Sequence, residues 1–166
     1  MQADLIKSSD NRATHLPVFA YGSLMADHVF DSVMISGLGN NYQRPRKTTG
    51  AILSGYQRFG VADQPYPAVV PATPNNTVQG VLWYIQSNSE IQLLDHFETD
   101  LYQRQVVSVN SMGESDTVQA YVYIWNRELS LLTGKEWNYE QFLAKEMKEW
   151  IKTQNGADGQ PLTTQG

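Results

Sequence analysis

The side chains best suited to acid–base chemistry lie in the stretch "LLDHFETDLYQR", residues 93–104. Glu98 follows Leu94 by four positions and Ile91 by seven. On a helix those residues share a face, so the spacing aims the carboxylate toward the apolar side, at the helix end. Burial disfavours a charged carboxylate, and so does the C-terminal end of a helix dipole; both raise its pKa. A carboxyl that exchanges its proton near neutral pH suits a general acid–base. The alternative is a helix that stops at Phe97 and turns Glu98 into solvent. Asp95 either shares the role or hydrogen-bonds a nearby loop.

The stretch "VFAYGSLM", Val18 to Met25, offers a different chemistry. An apolar run stops abruptly on Tyr21, Gly22, Ser23 and Leu24. If a helix follows over 25–34, the N–H groups of Gly22, Ser23 and Leu24 have no intrahelical acceptor, and such amides can hold a carboxylate or a phosphate. Read otherwise, this is an ordinary strand-to-helix turn with Ser23 as cap. It is not a nucleophile elbow, because Tyr21 and Met25 stand where G-x-S-x-G requires glycine. The tyrosines are a further set of candidates. Tyr102 shares strand parity with Arg104, and Tyr121 with Tyr123. They either line a polar pocket or pack as core with hydroxyls at its rim.

The elements that must position these groups are mostly strands. "LPVFAY" is apolar on both alternating faces, as a buried strand is. "GAILSGYQRFGV" and "YPAVVPA" are short strand-like pieces broken by Gly and Pro. "TVQGVLWYI", "YQRQVVSVNS" and "VQAYVYIW" are rich in β-branched and aromatic residues, with "GES" as part of a hairpin connection between the last two. One helix is predicted over "SNSEIQLLDHF", with Ser87 and Glu90 as its capping box. Another is predicted over "NYEQFLAKEMKEWI", with Asn138 as cap, Gln141 at its third position and a core-facing stripe of Leu143, Met147, Trp150 and Ile151. A weaker helix covers "MADHVFDSVM". Many short strands without regular alternation with helices predict an α+β fold: a small, mixed, curled sheet or barrel flanked by helices. Residues 1–15 and 153–166 read as polar tails around a domain spanning 16–152.

Bulk properties narrow the function classes. The chain has 166 residues, 41% hydrophobic, with a net charge of −5 and no cysteine. Scattered charge of that sign argues against nucleic acid. No apolar run is long enough for a membrane span, and the N-terminus lacks the apolar core of a signal peptide, so a soluble cytoplasmic protein is expected. Without cysteine there is no disulfide, thiolate catalysis or cysteine-bound zinc. The histidines, His15, His28 and His96, have no paired metal spacing. No obligate protein partner is evident.

Together, and in this order, "VFAYGSLM", "YPAVVP", "VQGVLWYI", "LLDHFETDLYQRQVVSV" and "VQAYVYIW" resemble the gamma-glutamylcyclotransferase-like superfamily, in particular its avirulence-induced-gene-like branch, relatives of gamma-glutamylamine cyclotransferase. The resemblance spans roughly Leu16 to Asn126. It implies a small mixed barrel and an enzyme that releases 5-oxoproline from a small-molecule gamma-glutamyl substrate, with no metal or organic cofactor. By the same resemblance the catalytic glutamate falls on Glu98, and the substrate cradle on Tyr21, Gly22, Ser23 and Leu24. Pocket-wall positions fall on Pro67 and Ala68, and pocket tyrosines on Tyr102 and Tyr121. Many relatives carry glycine directly after the glutamate, where this chain has Thr99. Two other functions remain open: a non-catalytic binding module for a small carboxylate or amide on the same fold, and a partner-binding protein that exposes the apolar stripe of its C-terminal helix.

Overall fold

Strand alternation sorts the apolar residues into two cores. A computed structural model describes residues 15–111, 116–145 and 148. Within these, β1 (Val18–Ala20), β2 (Lys47–Ser54), β5 (Thr77–Trp83), β6 (Tyr102–Asn110) and β7 (Thr117–Trp125) form a closed barrel in the order β1-β5-β2-β6-β7. β3 (Tyr56–Gly60) and β4 (Pro67–Pro71) form a separate antiparallel ribbon. The barrel is mixed: β1 lies antiparallel to β5 and parallel to β7, where Val18 pairs with Tyr121. Phe19, Leu53, Leu82, Val109 and Val122 form one buried cluster with other strand residues. Their neighbours of opposite parity, Val18, Ala20, Trp83 and Tyr123, pack instead with helix residues Phe30, Met34 and Leu94. Phe30 stacks on Trp83 with ring centroids 4.0 Å apart. Each such fully buried large side chain contributes roughly 1.5–3 kcal/mol.

Helix α1 spans Asp27–Leu38 and buries Phe30 and Met34, one helical turn apart. The first helix therefore begins at Asp27 rather than Met25, and residues Ser23–Met25 form a separate 3-10 turn. Leu24, Met25 and Ala26 are all buried. Consecutive residues cannot share the inner face of one helix, so the chain breaks regular structure at Ala26, which is extended (φ −83, ψ 131). Ser23 makes no side-chain cap there. Helix α2 spans Asn88–Glu98, and its capping box is formed: Ser87 Oγ accepts from the Glu90 amide, and the Glu90 carboxylate accepts from the Ser87 amide.

A third helix, α3, occupies residues 139–145, and Asn138 Oδ1 accepts from the Gln141 amide at 2.7 Å. Among its described residues Phe142 is buried, packed against Trp137. Leu143 packs on the core, while Met147, Trp150 and Ile151 fall outside the described residues. So do both proposed tails except His15, and residues 113–115 of the β6–β7 connection. The two strands themselves pair antiparallel from Tyr102↔Trp125 to Asn110↔Thr117. Among the described residues no helix is long and apolar enough to cross a membrane.

Candidate functional site

Glu98 is the last residue of α2, and its direction follows from Ile91 and Leu94, which bury the same face. The residue is half-buried and lines two neighbouring spaces. One is an outer cavity of about 660 Å³ whose walls include Ser23, Gln64, Tyr66, Thr99 and Tyr102. The other is a recess of about 30 Å³ bounded by Tyr21, Gly22, Ser23, Leu24, Pro67 and Tyr123 among others. The cavity has the volume of a small-molecule site, and the recess that of a single water. Desolvation, reinforced by the neighbouring charge of Asp95, pushes the Glu98 carboxyl from 4.5 up to about 8. Burial matches the sequence argument; the like charge is an additional cause.

The turn opposite is tightly held. Met25 N–H donates to Gly22 C=O at 3.0 Å, and Ala26 N–H to Ser23 C=O at 3.1 Å. The N–H groups of Gly22, Ser23 and Leu24 thus precede the first bonded amide of the turn and have no acceptor within it. The turn's own carbonyls are anchored from outside: Trp83 Nε1 donates to Leu24 C=O at 2.9 Å, and Arg58 Nη1 to Tyr21 C=O at 2.8 Å. Arg58 is itself paired with Glu136 at 2.8 Å. Gly22 lies against Pro67, where a Cβ would stand 2.8 Å from the proline Cδ. Only glycine permits that approach without displacing the rigid ring.

A group of tyrosines surrounds the carboxyl. Tyr102 donates to Pro67 C=O at 2.7 Å, and Tyr21 donates to Tyr123 C=O at 2.6 Å. The pKa values of Tyr21, Tyr66, Tyr102 and Tyr123 are all raised, first by desolvation and with the charge of Glu98 contributing to each. These hydroxyls therefore stay protonated, and those of Tyr21, Tyr102 and Tyr123 act as donors. Behind Glu98, Asp95 accepts from Arg104 at 2.9 and 3.1 Å and from Tyr123 Oη at 2.7 Å. Asp95 is thus tied to strands β6 and β7 rather than to a loop. Arg104 in turn lies over the Tyr121 ring, 4.6 Å from its centroid.

The structure brings Glu98, Tyr21, Gly22, Ser23, Leu24, Pro67 and Tyr102 to one place. Ala68 is fully buried behind Pro67, and Tyr121 borders neither space. Register explains the second difference. Tyr102 pairs with Trp125, so Tyr123 is one same-face step from it and Tyr121 two, each step about 7 Å. Tyr123 therefore reaches the recess, and Tyr121 supports Arg104. Gln64, Tyr66 and Arg58 escaped the sequence reading. Tyr66 directly precedes Pro67, which was the available signal. The wall carrying Gln64 is braced by a distant segment: Trp137 Nε1 donates to Pro65 C=O at 2.8 Å, and Ala62 N–H to Leu131 C=O at 2.8 Å. Among the described residues no group of three His, Asp or Glu could hold a metal ion.

The fold is a small mixed barrel in which a carboxyl of raised pKa and a glycine-centred turn line the same recess. The chain belongs to the gamma-glutamyl cyclotransferase, AIG2-like family, whose family model matches residues 18–141. It is 31% identical over 136 residues to "AIG2-like protein D" of Arabidopsis thaliana, covering 81% of this chain and 84% of that protein. It is 29% identical over 150 residues to "Protein AIG2 C" of the same plant, covering 84% and 85%. Solved structures share the fold. A solution structure from Arabidopsis thaliana superposes with a TM-score of 0.58 at 25% identity, covering 89% of this chain and 95% of that one. A crystal structure of an AIG2-like protein from Mus musculus gives 0.52 at 19% identity, covering 75% and 95%.

Proposed function

We propose that the protein is a gamma-glutamylcyclotransferase-type enzyme that releases 5-oxoproline from a gamma-glutamyl compound, with Glu98 as its general acid–base. The observation that carries this reading is the Glu98 carboxyl, pushed up to about 8, on a residue that lines both the cavity and the recess it shares with the Tyr21–Leu24 turn. In the proposed reaction the substrate's α-amine attacks its own δ-carbonyl carbon. A C–N bond forms to close the lactam, and the C–N bond to the leaving amine breaks. The attacking nitrogen must lose a proton and the leaving nitrogen must gain one. Glu98 takes the first proton as carboxylate and returns it as carboxylic acid, so it ends unchanged. Holding the chain folded supplies much of the acceleration, because the reaction is intramolecular.

The amides of Gly22, Ser23 and Leu24 hold the polar head of the substrate or the developing oxyanion. Tyr102 is less suited to the oxyanion, since its proton is committed to Pro67 C=O at 2.7 Å. Its part is to hold Pro67 against Gly22. Glu98→Gln keeps the shape and removes the proton carrier. Turnover measured as 5-oxoproline release is expected to fall at least about 10²-fold, with substrate binding changed far less. Full activity in this variant defeats the assignment. Binding without turnover in the wild type assigns the fold to a binding module instead.

A further inference from the structure

We propose that Arg58 is a positioning residue for the substrate cradle: by binding the Tyr21 carbonyl it turns the Gly22 N–H toward the recess and strengthens it as a donor. The proposal rests on the cyclotransferase reading only for the use of the cradle. Arg58 is the middle residue of β3, paired with Val69 of β4, and it lines neither the cavity nor the recess. It can therefore act on a ligand there only through another group.

A trans peptide unit is planar, and its C=O and N–H point in opposite directions. The Tyr21 carbonyl and the Gly22 N–H belong to one such unit. Arg58 Nη1 donates to that carbonyl at 2.8 Å, so the Gly22 N–H points away from Arg58. Gly22 lines the recess, and its N–H has no protein acceptor among the described residues. Ser23 and Leu24 obey the same rule from inside the turn. The carbonyls that precede their N–H groups, those of Gly22 and Ser23, accept from Met25 N–H at 3.0 Å and Ala26 N–H at 3.1 Å. Of the three amides, Gly22 is the one aimed by a side chain. That side chain is also a cation: its hydrogen bond is of the stronger, charge-assisted kind, and a polarised carbonyl makes the N–H of the same peptide a better donor.

The guanidinium is itself fixed. Nη1 also donates to Gln79 C=O at 3.3 Å, while Nε and Nη2 hold Glu136 at 2.9 and 2.8 Å. The group lies over the Trp137 ring, 5.6 Å from its centroid. The Arg58 side chain is only 14% exposed, which limits the competition of water for these bonds. The same ribbon holds the other end of the peptide. Gly60 of β3 pairs with Pro67 of β4, and Pro67 is the ring that lies against Gly22. The β3–β4 ribbon, which is separate from the barrel, thus grips the turn twice, at the Tyr21 carbonyl and at Gly22. A planar fork suits this task, whereas the single ammonium of a lysine cannot hold both carbonyls and Glu136 at once.

The test compares Arg58→Met, which removes the donors and keeps an unbranched stem, with Arg58→Lys, which keeps the charge and one donor group. Each is followed by urea unfolding, by the amide NMR signals of Gly22, Ser23 and Leu24 in the ligand-free protein, and by calorimetric binding of 5-oxoproline. In Arg58→Met the Gly22 signal should move further than those of Ser23 and Leu24, whose carbonyl partners remain. Affinity for 5-oxoproline should fall about tenfold or more, the equivalent of one charge-assisted hydrogen bond. Arg58→Lys should lie between that variant and the wild type in both measurements. A purely structural role would lower the unfolding midpoint but leave the Gly22 signal and the affinity of the folded protein unchanged, and that result overturns the proposal. Weakened binding with the Gly22 signal in place overturns it too, as does a moved signal with unchanged binding, or a wild type that does not bind 5-oxoproline. Should Arg58→Met fail to fold, Arg58→Lys is read alone, and a Gly22 signal and affinity equal to those of the wild type overturn the proposal. None of these measurements needs turnover. A wild type that binds 5-oxoproline but releases none from any substrate leaves the role of Arg58 standing and defeats only the cyclotransferase reaction.

Discussion

Glu98→Gln should change how stability depends on pH, apart from any effect on turnover. The wild-type carboxyl stands at about 8 in the folded chain against an ordinary 4.5. Between those values the unfolded chain has released this proton and the folded chain has kept it. The stabilisation from the raised pKa is thus fully present below 4.5, is lost as pH rises toward 8, and changes no further above that. The full difference corresponds to at most about 5 kcal/mol. Because the residue is half-buried and lines a cavity that water can enter, screening reduces the expected slope to about 2–3 kcal/mol over the window. Glutamine does not titrate, so the variant lacks this component. Urea unfolding of both proteins from about pH 5 to about pH 9 should show the variant gaining about 2–3 kcal/mol on the wild type as pH rises. Parallel stability curves across that range would mean that the folded carboxyl ionises normally, and the argument from desolvation and Asp95 would fall.

Gly22→Val should destabilise the fold by at least about 2 kcal/mol and abolish calorimetric binding of 5-oxoproline, because a Cβ would stand 2.8 Å from Pro67 Cδ; unchanged binding counts against the amide cradle. Tyr102→Phe removes the donor to Pro67 C=O and should cost about 1–2 kcal/mol in urea unfolding, with a smaller loss of turnover than Glu98→Gln. Asp95→Asn withdraws the like charge beside Glu98 and should move the acidic limb of the kcat/KM profile to lower pH, with Arg104 and Tyr123 as the groups left facing the amide. A limb that stays in place would assign the raised pKa to burial alone.

Where the information was local, the sequence alone determined the outcome. The capping box at Ser87 and Glu90 and the spacing of Ile91, Leu94 and Glu98 fix one helix and the direction of one carboxyl, because both depend on residues within two turns. Strand alternation did not decide which face of β1 joins which core, because Phe19 and its opposite-parity neighbours Val18 and Ala20 are all apolar and all buried. What depends on register or on distant chain only the tertiary structure decided. Tyr121 and Tyr123 have the same parity, and the pairing of Tyr102 with Trp125 is what brings Tyr123 rather than Tyr121 to the recess. The break at Ala26 comes from burying three consecutive residues, a demand set by the packing around them. Gln64 and Pro65 become a cavity wall because Trp137 and Leu131, more than 60 positions later by residue number, hold that loop in place. Local pattern carries no record of such contacts, since they form only when the barrel closes and brings remote segments together.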